Sequence, residues 1–264
     1  MRKGLRYLVV VCIIAGFVGC SPSPQQLKKT LENNPDIVFN VIKKNPTDFV
    51  QTLQLALQAE KEQEQKTQLE AKAKTMEDEF SNPKQPEISP TRAIAGNPSA
   101  HVTLVEYSDF QCSYCARAHD TVKKLQKKYG NDLRLVYKHL PLDFHPNAMP
   151  AARYFEAIAL QSPSKAYAFH DLVFKNQDKF SAQGVAYLET AAQQLGLDMS
   201  QLKKDLDSRQ VKTNIERDIA EAKKFGFTGT PGFLVNGVSV KGAYPAEEFE
   251  KIIDRHMASI KTKK

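Results

Sequence analysis

The sequence predicts an α/β domain that follows a purely helical N-terminal segment, and three observations carry that reading. Residues 101–109 alternate in polarity, are rich in Val, Leu and Tyr, and run straight into a helical pattern over residues 112–129, the order of a strand feeding a helix. Two apolar runs, residues 233–235 and 238–240, flank Asn236-Gly237, a strong hairpin signal. Upstream, residues 27–80 contain no glycine and place their apolar side chains at helical spacings.

The chain opens on a charged stretch, Arg2, Lys3 and Arg6, followed by an almost entirely apolar run over residues 7–18, the layout of a secretory signal peptide. That run is short of the roughly 20 residues a membrane span needs. It ends in Phe17-Val18-Gly19-Cys20, which resembles a bacterial lipobox. The resemblance implies that residues 1–19 are removed and that Cys20 becomes the lipidated N-terminus. Ser21 follows where an acidic residue would mark inner-membrane retention, so the resemblance implies a periplasm-facing protein anchored in the outer membrane. Of the four cysteines, Cys12 leaves with the leader. Cys20 and the close pair Cys112 and Cys115 remain, which excludes a structural disulfide framework and points to an oxidising compartment.

The formal charge of +7 is inflated by the leader and by Lys261, Lys263 and Lys264 in the tail. No basic stripe is interleaved with aromatic residues, so a nucleic-acid groove is not expected.

Residues 20–80 read as helices. Asn34-Pro35 and Asn45-Pro46 mark two successive helix starts, with proline in the first turn and asparagine suited to capping, so two short helices precede a long one. Leu27, Leu31, Ile37, Val38, Val41, Ile42, Phe49, Val50, Leu53 and Leu57 form the apolar stripe; beyond Ala59 only Leu69, Met76 and Phe80 punctuate a very polar run. So narrow a stripe makes no core of its own, and pairing with the same stripe of a second protomer resolves it, giving a homodimer. A solvated spacer between lipid and domain is the alternative. Residues 81–91, with Pro83, Pro86 and Pro90, read as a linker to a domain over residues 92–264.

Cys112 and Cys115 fall at the strand-to-helix junction. The N-terminus of a helix offers unpaired N–H groups and the positive end of the dipole, which favour a thiolate on its first residue. Cys112 is therefore the expected nucleophile, with Cys115 one turn further on the same face as the resolving thiol. Stabilising the thiolate stabilises the reduced form and makes the disulfide oxidising, to a degree that Ser113 and Tyr114 tune. A c-type haem attachment needs histidine where Ala116 stands. Zinc on Cys112, Cys115 and His119 lacks a fourth ligand, and an inert disulfide closing so short a loop restricts the unfolded chain little.

Residues 105–110, Val-Glu-Tyr-Ser-Asp-Phe, leading into Cys112-Ser113-Tyr114-Cys115 and followed far downstream by Gly229-Thr230-Pro231-Gly232, resemble the DsbA-like branch of the thioredoxin superfamily. The resemblance implies a thioredoxin-like fold with an inserted helical subdomain. Residues 146–226 fit that insertion, with helical runs separated by Ser162-Pro163, residues 181–184 and Gly196. It further implies that Pro231 is a cis-proline beside the disulfide, that Thr230 exposes backbone groups to an extended substrate, and that Glu106 moves protons to or from Cys115. Tyr114 and Thr230 resemble choices made in dimeric disulfide isomerases. The activity implied is disulfide formation and/or isomerisation on unfolded or misoxidised exported proteins, recycled by a membrane redox partner and needing neither cofactor nor metal. The rival class is a non-enzymatic surface lipoprotein whose cysteine pair binds metal or is structural.

Overall fold

The computed structural model describes residues 22–261, so the leader and Cys20 lie outside the described residues. The chain divides into two compact units, residues 1–69 and 70–264.

In the first unit, α1 (Pro24–Asn33) starts on a capping box. The Ser23 hydroxyl accepts from the Gln26 N–H, and the Gln26 side chain accepts from the Ser23 N–H. Next come α2 (Asp36–Lys44) and α3 (Pro46–Ser81), the second of which runs on into the other unit. The asparagines act differently from the sequence expectation: Asn34 and Asn45 cap the helices that end before them, their side-chain amides donating to the carbonyls of Thr30 and Val41. Among the described residues of this unit no side chain is buried, and Ile37, Val38, Phe39, Val41, Phe49, Val50, Leu53, Leu55 and Leu57 are all exposed.

The second unit is built on a sheet of order β2-β1-β3-β4. Its strands are β1 (Val102–Ser108), β2 (Leu133–His139), β3 (Gly232–Val235) and β4 (Val238–Lys241). β1 and β2 pair in parallel across α4 (Ser113–Tyr129); β3 and β4 add antiparallel as the expected hairpin, with Asn236 and Gly237 both at positive φ, 47° and 92°. Side-chain alternation splits the sheet into two faces. Leu104, Leu133, Leu135, Phe233 and Val235 pack with Val122 and Leu125 of α4 and with Phe249, Ile252 and Ile253 of α11 (Ala246–Lys261); Val105, Tyr107, Val136 and Leu234 pack with Ala222. Glu106 and Ser108 share the parity of Leu104 and so belong to the α4 face.

Between β2 and β3 lie α5 (Ala148–Gln161), α6 (Pro163–Lys175), α7 (Gln177–Gln183), α8 (Val185–Gln194), α9 (Met199–Asp205) and α10 (Arg209–Lys224). α10 also reaches the sheet, packing Ala222 on the face opposite α4. Tyr154, Phe155, Phe169 and Phe174 are buried, and Phe110 anchors their cluster, its ring 5.0 Å from Phe174 and 6.2 Å from Phe155.

Both rims of the sheet are occupied. On the outer side of β2, Leu135 exchanges both backbone bonds with Ala95, the Tyr137 N–H donates to the Tyr167 hydroxyl, the Tyr137 carbonyl accepts from Arg92, and the His139 N–H donates to Asp218. Arg92 is held there by Asp218 at 2.5 Å and Glu156 at 3.4 Å. On the outer side of β4 the Ser239 N–H donates to Glu79 of α3 at 2.6 Å, and the Gly237 carbonyl accepts from Lys84.

The last turns of α3 thus belong to the second unit. Met76 and Phe80 pack on its core, and Glu77 makes a two-pronged ion pair with Arg255 at 2.5 and 2.7 Å. Residues 81–91 also bond to this unit, with the Glu87 N–H donating to Glu221 and the Glu87 carbonyl accepting from Lys138.

Candidate active site

β1 brings its C-terminal end to the first turn of α4, and Cys112 takes the N-cap position itself, with extended backbone (φ −71°, ψ 119°). Its carbonyl accepts from the N–H groups of Cys115 and Ala116 at 3.0 and 3.1 Å, so the helix begins on Cys112. Both cysteines are free thiols; Cys115 is fully buried and Cys112 is 6% exposed. From the other side, the turn before β3 delivers Thr230 and Pro231 through a cis peptide bond, and the Cys112 thiol donates to the Thr230 carbonyl at 3.5 Å.

The two thiols are driven apart in acidity. A hydrogen bond from the Cys115 thiol, then Thr230 and the backbone N–H groups of Cys115 and Tyr114, lower Cys112 to about 5 against the opposing effect of burial. Burial and the neighbouring Cys112 push Cys115 well above the ordinary thiol range, and the charge of Glu106 adds to this. One sulfur is ionised at neutral pH and the other holds its proton, the division of labour that an attacking and a resolving thiol require.

Glu106 is fully buried on β1, and neither carboxylate oxygen has a hydrogen-bond partner. Burial raises it to about 7, with Ser108 and His119 opposing. Because its folded value lies above the ordinary 4.5, the folded state holds the proton longer than the unfolded chain. Stability is therefore full below about 4.5 and is lost as pH rises through about 7. Replacing Glu106 with Gln removes that loss, so the stability difference between variant and wild type, followed by urea unfolding of the reduced proteins, should grow by about 3 kcal/mol between pH 4 and pH 8.

Ser113 and Tyr114 are exposed at the mouth, Tyr114 by 56%, and the Arg117 guanidinium lies 4.2 Å over the Tyr114 ring. His119, the ligand a zinc site on the cysteines would recruit, turns instead to Asp171, Nε2 to Oδ1 at 2.9 Å; the same oxygen meets His170 Nδ1 at 3.1 Å, and Lys123 holds the other oxygen. Asp171 and His170 sit on α6, some 50 residues downstream, and nothing local to His119 announces them.

The catalytic turn has a second set of holders that the sequence reading missed. The Asp109 carboxylate accepts from the N–H groups of Gln111 and Leu142 and pairs with His145 Nδ1 at 2.7 Å. The Gln111 side chain accepts from the Asn147 N–H, and Gln177 donates to the carbonyls of Phe110 and Cys112 at 2.9 and 3.0 Å.

A family model described as thioredoxin matches residues 88–255. This chain belongs to the thioredoxin family. Several solved structures share its fold. A thioredoxin-like oxidoreductase from Silicibacter pomeroyi DSS-3 is 31% identical, with a TM-score of 0.57 over 64% of this chain and 94% of that one. BdbD from Bacillus subtilis, 24% identical, superposes with a TM-score of 0.59 over 67% of this chain and 97% of its own. The thiol-disulfide exchange protein alpha-DsbA2 from Wolbachia pipientis, 15% identical, shares the fold with a TM-score of 0.58 over 70% and 96%. Among curated proteins, the Na(+)/H(+) antiporter NhaA of Herminiimonas arsenicoxydans is 37% identical over 180 residues, 68% of this chain and 27% of that protein. The chain spans about a quarter of the length of the curated relatives it matches. Among the described residues of this thioredoxin-family protein, no helix is long and apolar enough to cross a membrane.

Proposed function

We propose that this thioredoxin-family protein is a periplasm-facing protein-disulfide oxidoreductase that forms and isomerises disulfides in exported proteins through Cys112 and Cys115. The observation that carries the reading is the split acidity of the pair, an N-cap thiolate beside a fully buried, protonated partner. In the reducing direction the Cys112 thiolate attacks a client disulfide; the client S–S bond breaks, a mixed disulfide forms and the second client sulfur leaves as thiolate. Cys115 then gives its proton to Glu106 and attacks Cys112, expelling the client. In the oxidising direction a client thiolate attacks the enzyme disulfide at Cys112, and the departing Cys115 sulfur takes its proton back from Glu106. A carboxyl raised to about 7 is matched to both directions at periplasmic pH.

The exposed apolar faces of α1, α2 and the first part of α3 support a homodimer, whose cleft would admit a misoxidised client, and Cys20 is the proposed lipid anchor to the outer membrane. A membrane-bound redox partner is proposed to recycle the pair.

Trapping tests the reading. The Cys115→Ala variant keeps the attacking thiolate and lacks the resolving one, so it should accumulate client adducts that dithiothreitol releases, while Cys112→Ala should yield none. Equal recovery from the two variants would defeat the proposal.

A further inference from the structure

The carbonyl of Cys112 receives three donors. Two are the N–H groups of Cys115 and Ala116, which open the helix; the third is the Gln177 carboxamide at 3.0 Å, which also reaches the Phe110 carbonyl at 2.9 Å. One side chain therefore bridges two carbonyls, two residues apart, across the extended turn that ends on the nucleophile.

Gln177 is itself well fixed. It is the first residue of α7, a helix anchored by the fully buried Phe180, and its predecessor Asn176 donates from its side chain to the Leu172 carbonyl at 2.9 Å. On the opposite flank, the bonds of Asp109 and Gln111 run to Leu142, His145 and Asn147. Among the described residues, the Cys112–Thr230 contact apart, the side-chain bonds that hold residues 109–112 from outside come from residues 142–177. The sheet and α4 supply the sulfurs; the loop into α5 and the start of α7 hold the turn.

We infer that Gln177 is a positioning residue for Cys112, fixing the backbone of the catalytic turn from the inserted subdomain so that the sulfur stays aimed at the first N–H groups of α4. It touches no reacting atom and carries no charge, so its action is geometric. The N–H groups of Tyr114 and Cys115 favour the thiolate only while Cys112 keeps its N-cap conformation, and Gln177 removes the turn's freedom to leave it. The inference rests on the oxidoreductase reading and adds to it the part played by the insertion.

The test uses the mature protein with Gln177→Met, which keeps length and loses both donors, and Gln177→Glu, which can donate only when protonated. The readouts are the thiolate absorbance of Cys112 against pH, the equilibrium constant with glutathione, and the thermal midpoint. In both variants the thiolate titration should move upward at neutral pH and the disulfide should become a weaker oxidant by roughly threefold to tenfold. A lowered thermal midpoint with an unchanged titration and an unchanged glutathione constant would overturn the inference, leaving Gln177 a brace between helices. Should Gln177→Met fail to fold, Gln177→Glu decides alone, through the same two redox readouts. An ordinary thiol titration in the wild type would be a different result, removing the oxidoreductase reading and this inference with it.

Discussion

Replacing Cys112 with alanine is expected to take disulfide exchange, followed by insulin reduction and by refolding of scrambled ribonuclease, down to the uncatalysed background. The fall should be at least about a thousandfold, equivalent to about 4 kcal/mol of transition-state stabilisation. The size follows from the absence of any second ionised thiol: among the described residues the other cysteine is Cys115, which burial and its neighbour hold protonated. In the wild type, a thiolate formed at about 5 should make the rate of attack flat between about pH 6 and pH 8, falling tenfold per unit below 5. The linkage has a definite sign. A folded value depressed below the ordinary 9.0 gives the reduced protein stability that is complete above that value and disappears as pH falls through about 5. The oxidised protein has no such group, so the gap in thermal midpoint between reduced and oxidised forms should be wider at pH 7 than at pH 4. Retained activity in Cys112→Ala, or a gap that narrows as pH rises, would contradict the assignment of the nucleophile.

Truncation should separate two roles of the N-terminal helices. A chain beginning at Glu70 is expected to keep its thermal midpoint within a few degrees of the full protein, because no described side chain of residues 22–69 is buried. A chain beginning at Ser81 should melt about 10 °C lower. It loses the packing of Met76 and Phe80, the contacts of the Phe80 ring with Arg255 at 3.8 Å and His256 at 4.9 Å, the Glu77–Arg255 pair, and the Glu79 carboxylate on Ser239. Partial burial of two large apolar side chains and the loss of one bonded carboxylate sum to about 3–4 kcal/mol, and a domain of this size moves roughly 2–4 °C per kcal/mol. Sedimentation of the two truncated chains tests the proposed dimer at the same time: both should be monomers. Equal melting of the two would show that the end of α3 adds nothing to the domain.

That boundary illustrates what local pattern could and could not reveal. The strand into Cys112, the helix from Ser113 to Tyr129 and the Asn236-Gly237 hairpin were legible because each is written in consecutive residues. Met76 and Phe80 gave no such signal, since the core they pack on, Arg255 and His256 of α11 for Phe80, lies far along the chain, and a sparse apolar spacing looks the same whether its partner is a distant helix or a second protomer. Glu106 was visible as a carboxylate in a strand, but its complete burial depends on α4 closing over the even-numbered residues of β1. Gln177 was invisible for a similar reason: a glutamine at a helix start is ordinary until the fold sets two carbonyls of the catalytic turn against it.

An enzyme that handles unfolded chains spends its working life among extended segments seeking a partner for their backbones. Among the described residues, Ala95, Tyr167, Arg92 and Asp218 already serve the β2 margin, and Glu79 holds the Ser239 N–H on the β4 margin. Under the proposed function, clients would engage beside the sulfur rather than by prolonging the sheet.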